Sequence, residues 1–448
     1  MKQYLYIFLC LLLAGCVLTP ELPTAVPQTT HPTGETTWAP PITSPEPSTQ
    51  NITDPTTGAS TVPQTTPIQI RDDIKAIWLT QFDLEEVYQA AGSQRKPEEF
   101  TEFAEKILEN VVNMGFNTVF LQLRPNADSM YPSQIYPMSK YVVGRYGAEA
   151  AYDPVEILVT LARQKGLSVH GWINPFRAMK EQDLNQAGKA YLIGQWAADP
   201  DKLGDFLVLH QGTWYLNPAY PQVRQLIADG AAEAMERYDL DGLHIDDYFY
   251  PTTDQAFDRK AYGQLGVGKS LEDFRRENIS ALVSLLYDTA HAAGGVFSVS
   301  PAGNIGTVYE KHYADVYTWC SEEGYLDYIC PQVYFGLEHQ NYDFASVCRT
   351  FSDIIKTDSV KLLVGMTFGK AMTGEDPYAG TGKDEWKQHT DILRRSLETT
   401  RALPHCRGVA VFCYQYLYDP LTGSAIAQTQ HERENFLPLL QTIRWERD

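Results

Sequence analysis

Asp241-Gly242-Leu243-His244-Ile245-Asp246-Asp247-Tyr248-Phe249-Tyr250-Pro251 is the most informative run of this chain. Its first half reads as a strand over Gly242–Asp246. Side chains in a strand point alternately to opposite faces, so Leu243 and Ile245 share one face while Gly242, His244 and Asp246 share the other. The aliphatic face calls for a covering layer of helices. The polar face then turns inward, with Asp246 at the strand's end and Asp247 starting the loop. An Asp pair at a strand end that merely caps a loop is the plainer reading. Against it, a His and an Asp facing an interior cost several kcal/mol unless matched by polar partners, which marks a functional site.

Outward from this strand, short β-branched runs alternate with amphipathic segments of helix length. Strands are predicted over Ala76–Thr80, Thr118–Leu123, Ser168–Asn174, Val296–Ser300, Tyr328–Tyr334, Lys361–Thr367 and Gly408–Gln415 as well, making eight. Helices are predicted near Pro97–Met114, Pro154–Lys165, Pro218–Tyr238, Leu271–Ala293, Phe344–Thr357, Asp384–Thr399 and Glu432–Arg447, with a short one at Tyr317–Glu323. Asp153-Pro154 and Asn217-Pro218 serve as starts, and Gly115, Gly166 and Gly294 as stops. Eight strands alternating with helices make an α/β fold of the (β/α)8 TIM-barrel type. A doubly wound sheet would need a Gly-rich turn after the first strand, and Trp78-Leu79-Thr80-Gln81-Phe82-Asp83 has none. A simple barrel takes about 250 residues. The excess falls in long connections after the second, third and fourth strands, on the face where barrels build active sites.

The same alternation turns other polar groups inward. The second strand offers Gln122 and Arg124 with Asp128 beyond; the third His170, Trp172 and Asn174, then Arg177. Ser298, Ser300 and Asn304 follow from the fifth, Gln332, Tyr334 and Glu338 from the sixth, and Gln415 beside Tyr414 and Tyr416 from the eighth. Singly each is an ordinary core or rim group. Converging on one rim, amides, an Arg and aromatic rings around carboxylates are what a sugar requires, because hydroxyls take bidentate polar partners and C–H faces stack on rings.

The chain carries 36 basic and 56 acidic side chains, a net −20. Phosphate backbones need clustered Lys and Arg, so nucleic acid is excluded as a partner. Residues 1–16 read as an export signal: Lys2, an apolar run from Tyr4 to Leu13, then Leu13-Ala14-Gly15-Cys16. The ending resembles a bacterial lipoprotein signal, which implies lipidation of Cys16 and a membrane anchor in the cell envelope. Residues 17–67 hold 15 Thr and 11 Pro, four acids and no Lys or Arg. Too few apolar groups are present to offset the entropy of ordering, so a disordered tether is expected there, with the barrel over 68–448. Cys320, Cys330, Cys348, Cys406 and Cys413 are an odd set without CxxC spacing, which argues against a disulfide framework. No Cys/His cluster or HExxH is present, so no metal or other cofactor is expected.

DGLHIDDYFYP, with AIWLTQFD, FNTVFLQLRPNADSMYPS, HGWINPFR, SVSPAGN, DYICPQVYF and GVAVFCYQY, resembles the bacterial glycosyl-hydrolase-like family 10, exported barrel proteins. The resemblance runs from Ile68 to about Leu421. It implies a glycosidase acting on envelope glycans, peptidoglycan strands among them. The fourth-strand motif is also similar to the Asp-Gly-x-Arg-x-Asp of amylase-type barrels, which would make Asp246 the nucleophile, with His244 in place of the Arg. It is similar to the chitinase-type Asp-Gly-x-Asp-x-Asp-x-Glu too, but His244 and Tyr248 stand where the first inner Asp and the acid Glu would be. A 2-acetamido group of the substrate could then serve as nucleophile, oriented by Asp246 or Asp247.

The leading expectation is a monomeric glycoside hydrolase of class 3.2.1 with Asp246 as the essential carboxylate and Asp247 or Glu338 as acid/base. Arg124, Asp128, Trp172, Asn174, Arg177, His244, Tyr248, Asn304, Gln332, Tyr334 and Gln415 are expected to line the sugar site. The alternatives are a non-catalytic glycan-binding lipoprotein and a metal-dependent polysaccharide deacetylase, the latter disfavoured because no HxxxH-type pair is present.

Overall fold

The computed structural model describes residues 72–445; the signal segment, Cys16 and the tether lie outside the described residues. Eight parallel strands form a closed barrel: β1 (Ile74–Leu79), β2 (Thr118–Arg124), β3 (Ser168–Ile173), β4 (Gly242–Ile245), β5 (Val296–Val299), β6 (Tyr328–Ile329), β7 (Lys361–Thr367) and β8 (Cys406–Phe412). Each strand pairs with the next in sequence, and β8 closes on β1 through Ile74–Ile77 against Gly408–Val411.

Eight helices of eight or more residues occur among the described residues: α1 (Gln81–Tyr88), α2 (Pro97–Met114), α3 (Pro154–Gln164), α4 (Pro221–Tyr238), α5 (Leu271–Ala292), α6 (Phe344–Asp353), α7 (Ile392–Thr400) and α8 (Gln430–Thr442). The sequence of α2 shows why they form. Pro97 opens it, Glu98 and Glu99 complement the positive end of the helix dipole, and Gly115 closes it at φ 95°. Phe100, Ala104, Ile107, Leu108, Val111 and Met114 recur at helical spacing and are all buried.

The barrel interior is aromatic. Phe120 stacks on His244 with ring centroids 4.2 Å apart, Trp78 meets Phe120 edge-on at 5.2 Å, and Phe412 lies 6.0 Å from Trp78. Gly242 makes room for this layer, because a Cβ there would stand 2.7 Å from His170 Nδ1. The five described cysteines are free and buried.

Two strands differ from their sequence reading. The sixth stops at Ile329, because Pro331 has no N–H for a continuous ladder; Gln332 makes only isolated bridges to Ala302 and Gly365. The eighth begins at Cys406 and ends at Phe412, and Tyr414–Tyr416 form a short 3-10 turn. The predicted helix over Asp384–Thr399 is two, Glu385–Gln388 and α7. Helix α1 was not expected: Thr80 accepts from Phe82 N and Asp83 N, while Thr80 N donates to Asp83 Oδ2 at 2.6 Å.

The three long connections lie where the sequence places them. The one after β3 carries an antiparallel sheet of Arg177–Lys180, Thr213–Leu216 and Leu207–His210, in that spatial order. The one after β4 carries a short helix, Arg259–Leu265, and is clamped by Arg275 of α5.

Candidate active site

At the C-terminal end of β4, Asp246 is buried and receives three hydrogen bonds. Trp172 Nε1 donates to Oδ2 at 3.1 Å, Asn174 Nδ2 donates to the same oxygen, and Tyr248 N donates to Oδ1 at 3.3 Å. The orientation of this network follows from groups that can only donate. Gln81 N–H donates to Gln122 Oε1 at 2.7 Å, so Gln122 must offer its NH2 to Asn174 Oδ1 (2.6 Å), and Asn174 must offer its own NH2 to Asp246. An indole and a backbone amide complete the set. Donors alone suit an ionised carboxylate.

Opposing forces act on that charge. Burial pushes the Asp246 carboxyl well above the ordinary range, the Asp247 charge pushes it further, and Arg177 pulls it back, with the Tyr248 and Trp172 bonds. Asp247 is half-buried and is also raised, first by burial; His312 and a Gln332 hydrogen bond draw it down. The two neighbouring carboxyls therefore titrate as an interacting pair. Replacing Asp247 by Asn removes like-charge repulsion, so Asp246 ionises at lower pH. In an Asp247→Asn enzyme the acidic limb of the pH profile of kcat/KM is expected to move to lower pH with a reduced maximum; an unmoved limb would show that Asp247 does not act on Asp246.

Arg177 lies beside this pair, its guanidinium 4.4 Å over the Tyr248 ring and its Nε donating to Pro125 O at 3.0 Å. Tyr334 stacks on Phe412 at 5.8 Å and faces Asp247 electrostatically. Gln332 also donates to Ser300 O at 3.2 Å. Asp246, Asp247, Trp172, Asn174, Arg177, Tyr248, Gln332 and Tyr334 thus form one cluster.

Other residues expected to hold sugar make their described contacts within the protein. His244 is fully buried beneath the mouth: its Nε2 accepts from Trp78 Nε1 at 3.2 Å, so Nδ1 carries the proton and donates to Ser298 Oγ at 2.7 Å. Burial holds its pKa well below the usual value, so it is a neutral support. Arg124 is buried with Nη1 donating to Tyr136 Oη at 3.3 Å and Nη2 to Pro175 O at 3.0 Å, joining two connections. Asp128 is buried in the β2 connection, accepting from Asn126 N at 2.7 Å. Asn304 caps the helix Ile305–Glu310 and donates to Tyr342 Oη at 2.9 Å. Gln415 sits on the 3-10 turn after β8, where its backbone N–H donates to Asp83 Oδ1 at 2.8 Å and its amide reaches Cys413 Sγ at 3.6 Å. Glu338, weighed as acid/base, is half-exposed and 3.6 Å from His389 Nε2, with no hydrogen bond to Asp246 or Asp247.

Three residues at or beneath the mouth went unread in the sequence. His312 faces Asp247, with its Nδ1 buried and without a partner; it lies past the fifth strand, outside any alternating run. Trp78, on β1, fixes His244. Asp83 joins the ends of β1 and β8, and burial raises its pKa to about 6; the capping pattern Thr80-Gln81-Phe82-Asp83 could have revealed it. Among the described residues no group of three or more His, Cys, Asp or Glu is arranged to hold a metal ion.

Glycosyl hydrolase DigH of Escherichia coli K12 is 29% identical over 350 residues, covering 72% of this chain and 77% of that protein. Glycosyl hydrolase YngK of Bacillus subtilis 168 is 30% identical over 323 residues, covering 67% of this chain and 61% of that protein. Among solved structures, the catalytic domain of β-amylase from Paenibacillus polymyxa superposes with a TM-score of 0.51 at 10% identity, over 83% of this chain and 99% of that one, a likeness of fold. A family model described as Glycosyl hydrolase-like 10 matches residues 73–378, and the chain belongs to that family.

Proposed function

We propose that the protein is a glycosidase that hydrolyses O-glycosyl bonds in an extracellular bacterial polysaccharide, with peptidoglycan glycan strands as the favoured substrate. The observation that carries this reading is Asp246, a buried carboxylate held by three donors at the barrel mouth, with a second carboxyl beside it. Glycosyl transfer passes through an oxocarbenium-like transition state, which a fixed negative charge stabilises and a neighbouring acid completes by protonating the leaving oxygen. Asp246, saturated by donors, is suited to the first task. Asp247, half-buried and raised above its ordinary pKa, is suited to hold and deliver the proton. Tyr248 and Tyr334 offer ring faces to the sugar. The signal-like segment and Cys16 direct the search to glycans outside the cytoplasm.

Purified peptidoglycan strands, chitin-type and plant-type glycans incubated with the protein and read by mass spectrometry test this. New reducing ends on the peptidoglycan strands are expected. Cleavage confined to the other glycans would overturn the substrate, and binding without cleavage of any of them would favour a non-catalytic glycan-binding protein.

A further inference from the structure

The small sheet after β3 carries a feature that folding alone does not call for. Strand alternation would put Arg177 and Lys180 on opposite faces, but the pairing slips between them: Arg177 is opposite Tyr215, and Lys180 opposite Thr213. Three steps on one strand therefore match two on the other. The extra residue is a bulge, and bulges re-aim side chains. Tyr215 and Thr213 share a face, so Arg177 and Lys180 now share one too. Ala178 and Met179 between them are buried at 1% and 0% exposure.

The two cations have few anionic partners. Lys180 Nζ donates to Thr213 Oγ1 at 2.7 Å and Arg177 Nε to Pro125 O, both neutral acceptors, and among the described residues neither forms an ion pair with a carboxylate. Lys140, from the connection after β2, adds a third positive charge; it pairs with Asp183 at 2.9 Å and lies 5.2 Å from the Tyr146 ring. After burial, the charges of Arg177 and Lys140 are what depress the Lys180 ammonium, which places the three within one another's field. In a chain of net charge −20, these grouped cations oppose the overall balance; Asp183 offsets Lys140 and Asp246 offsets Arg177, while Lys180 is left facing a neutral hydroxyl.

We propose that this wall is a subsite for a carboxylate borne by the glycan, on the sugar that lies beside Arg177 next to the scissile bond. Lys180 and Arg177 recognise the carboxylate, and Lys140 reinforces their field. The inference rests on the glycosidase reading and adds the charge of the substrate. A carboxylate is favoured over repeated phosphates because the net negative body repels a dense polyanion, whereas one anionic substituent per repeat meets only the local cations.

The test compares peptide-free peptidoglycan glycan strands, whose sugar carboxyls are free, with the same strands after reduction of those carboxyl groups to alcohols. The wild-type protein is expected to cleave the native strands with a kcat/KM about tenfold or more higher, the effect of a charge-assisted hydrogen bond. In Lys180→Gln that ratio is expected to fall towards one, with thermal melting used to verify folding. Equal cleavage of both glycans by the wild type would overturn the subsite while leaving the glycosidase reading intact, and cleavage of neither would overturn the peptidoglycan substrate and the subsite with it. A Lys180→Gln protein that keeps the full preference would remove Lys180 from the subsite. Glucose 6-phosphate inhibiting more strongly than glucuronate would overturn the carboxylate assignment.

Discussion

Asp246→Asn is expected to lower kcat on a cleavable glycan by about 10³-fold or more, the range seen when a charged group acting on the transition state is removed, while the barrel stays folded. The substitution keeps the shape of the side chain and one amide oxygen to accept from Trp172 or Asn174, but abolishes the charge. Its effect on stability runs the opposite way from its effect on activity. The Asp246 pKa is raised in the folded state, first by burial and then by Asp247. A carboxyl raised on folding favours the native state when protonated, and that contribution is lost as pH rises through the folded pKa. Whenever it is ionised, Asp246 is therefore a destabilising group retained for chemistry, so Asp246→Asn should melt no lower than the wild type at pH 7. Calorimetry at pH 7 together with reducing-end release measures both halves. An active Asp246→Asn would remove this residue from the reaction, and an inactive variant that melts far lower would make the loss structural.

Arg275→Met is expected to destabilise the protein by about 3–5 kcal/mol, the usual cost of leaving one partner of a buried ion pair alone. Arg275 and Asp258 both have side chains at 0% exposure, bonded through Nε–Oδ2 at 2.9 Å and Nη2–Oδ1 at 2.6 Å. The same guanidinium donates to Asp254 O at 2.7 Å and Tyr313 Oη at 3.0 Å, and lies 5.0 Å from the Tyr250 ring. It thus ties α5 to the connection that leaves the Asp246-Asp247 motif. Arg275→Met should therefore also lose activity beyond what its residual folded fraction explains. The double variant Arg275→Met/Asp258→Asn, which leaves no buried charge unpaired, should melt higher than the single one. Denaturant unfolding of the three proteins measures the cycle; a single variant within about 1 kcal/mol of wild type would show that water or a rearranged loop replaces the pair.

The sequence by itself determined the barrel and the identity of its central strand. Eight short runs alternating with capped amphipathic segments permit few topologies, and the alternation in Gly242–Asp246 settles which side chains face inward, because that periodicity is a property of the extended backbone. It could not show where β6 and β8 stop, since Pro331 and the turn at Tyr414–Tyr416 act against hydrophobic runs that continue past them. Nor could it separate the inward polar residues by role. Arg124 and Arg177 both lie at the ends of inward-facing runs, yet one is buried between two connections and the other lies over Tyr248 at the mouth. Both side-chain donors to Asp246 come from residues 74 and 72 positions away, and His244 is held by Trp78, 166 positions away. Whether a polar side chain supports the interior or meets a ligand depends on which group, from which strand, reaches it first. That is decided by barrel closure and by the packing of the long connections, which only the tertiary structure contains.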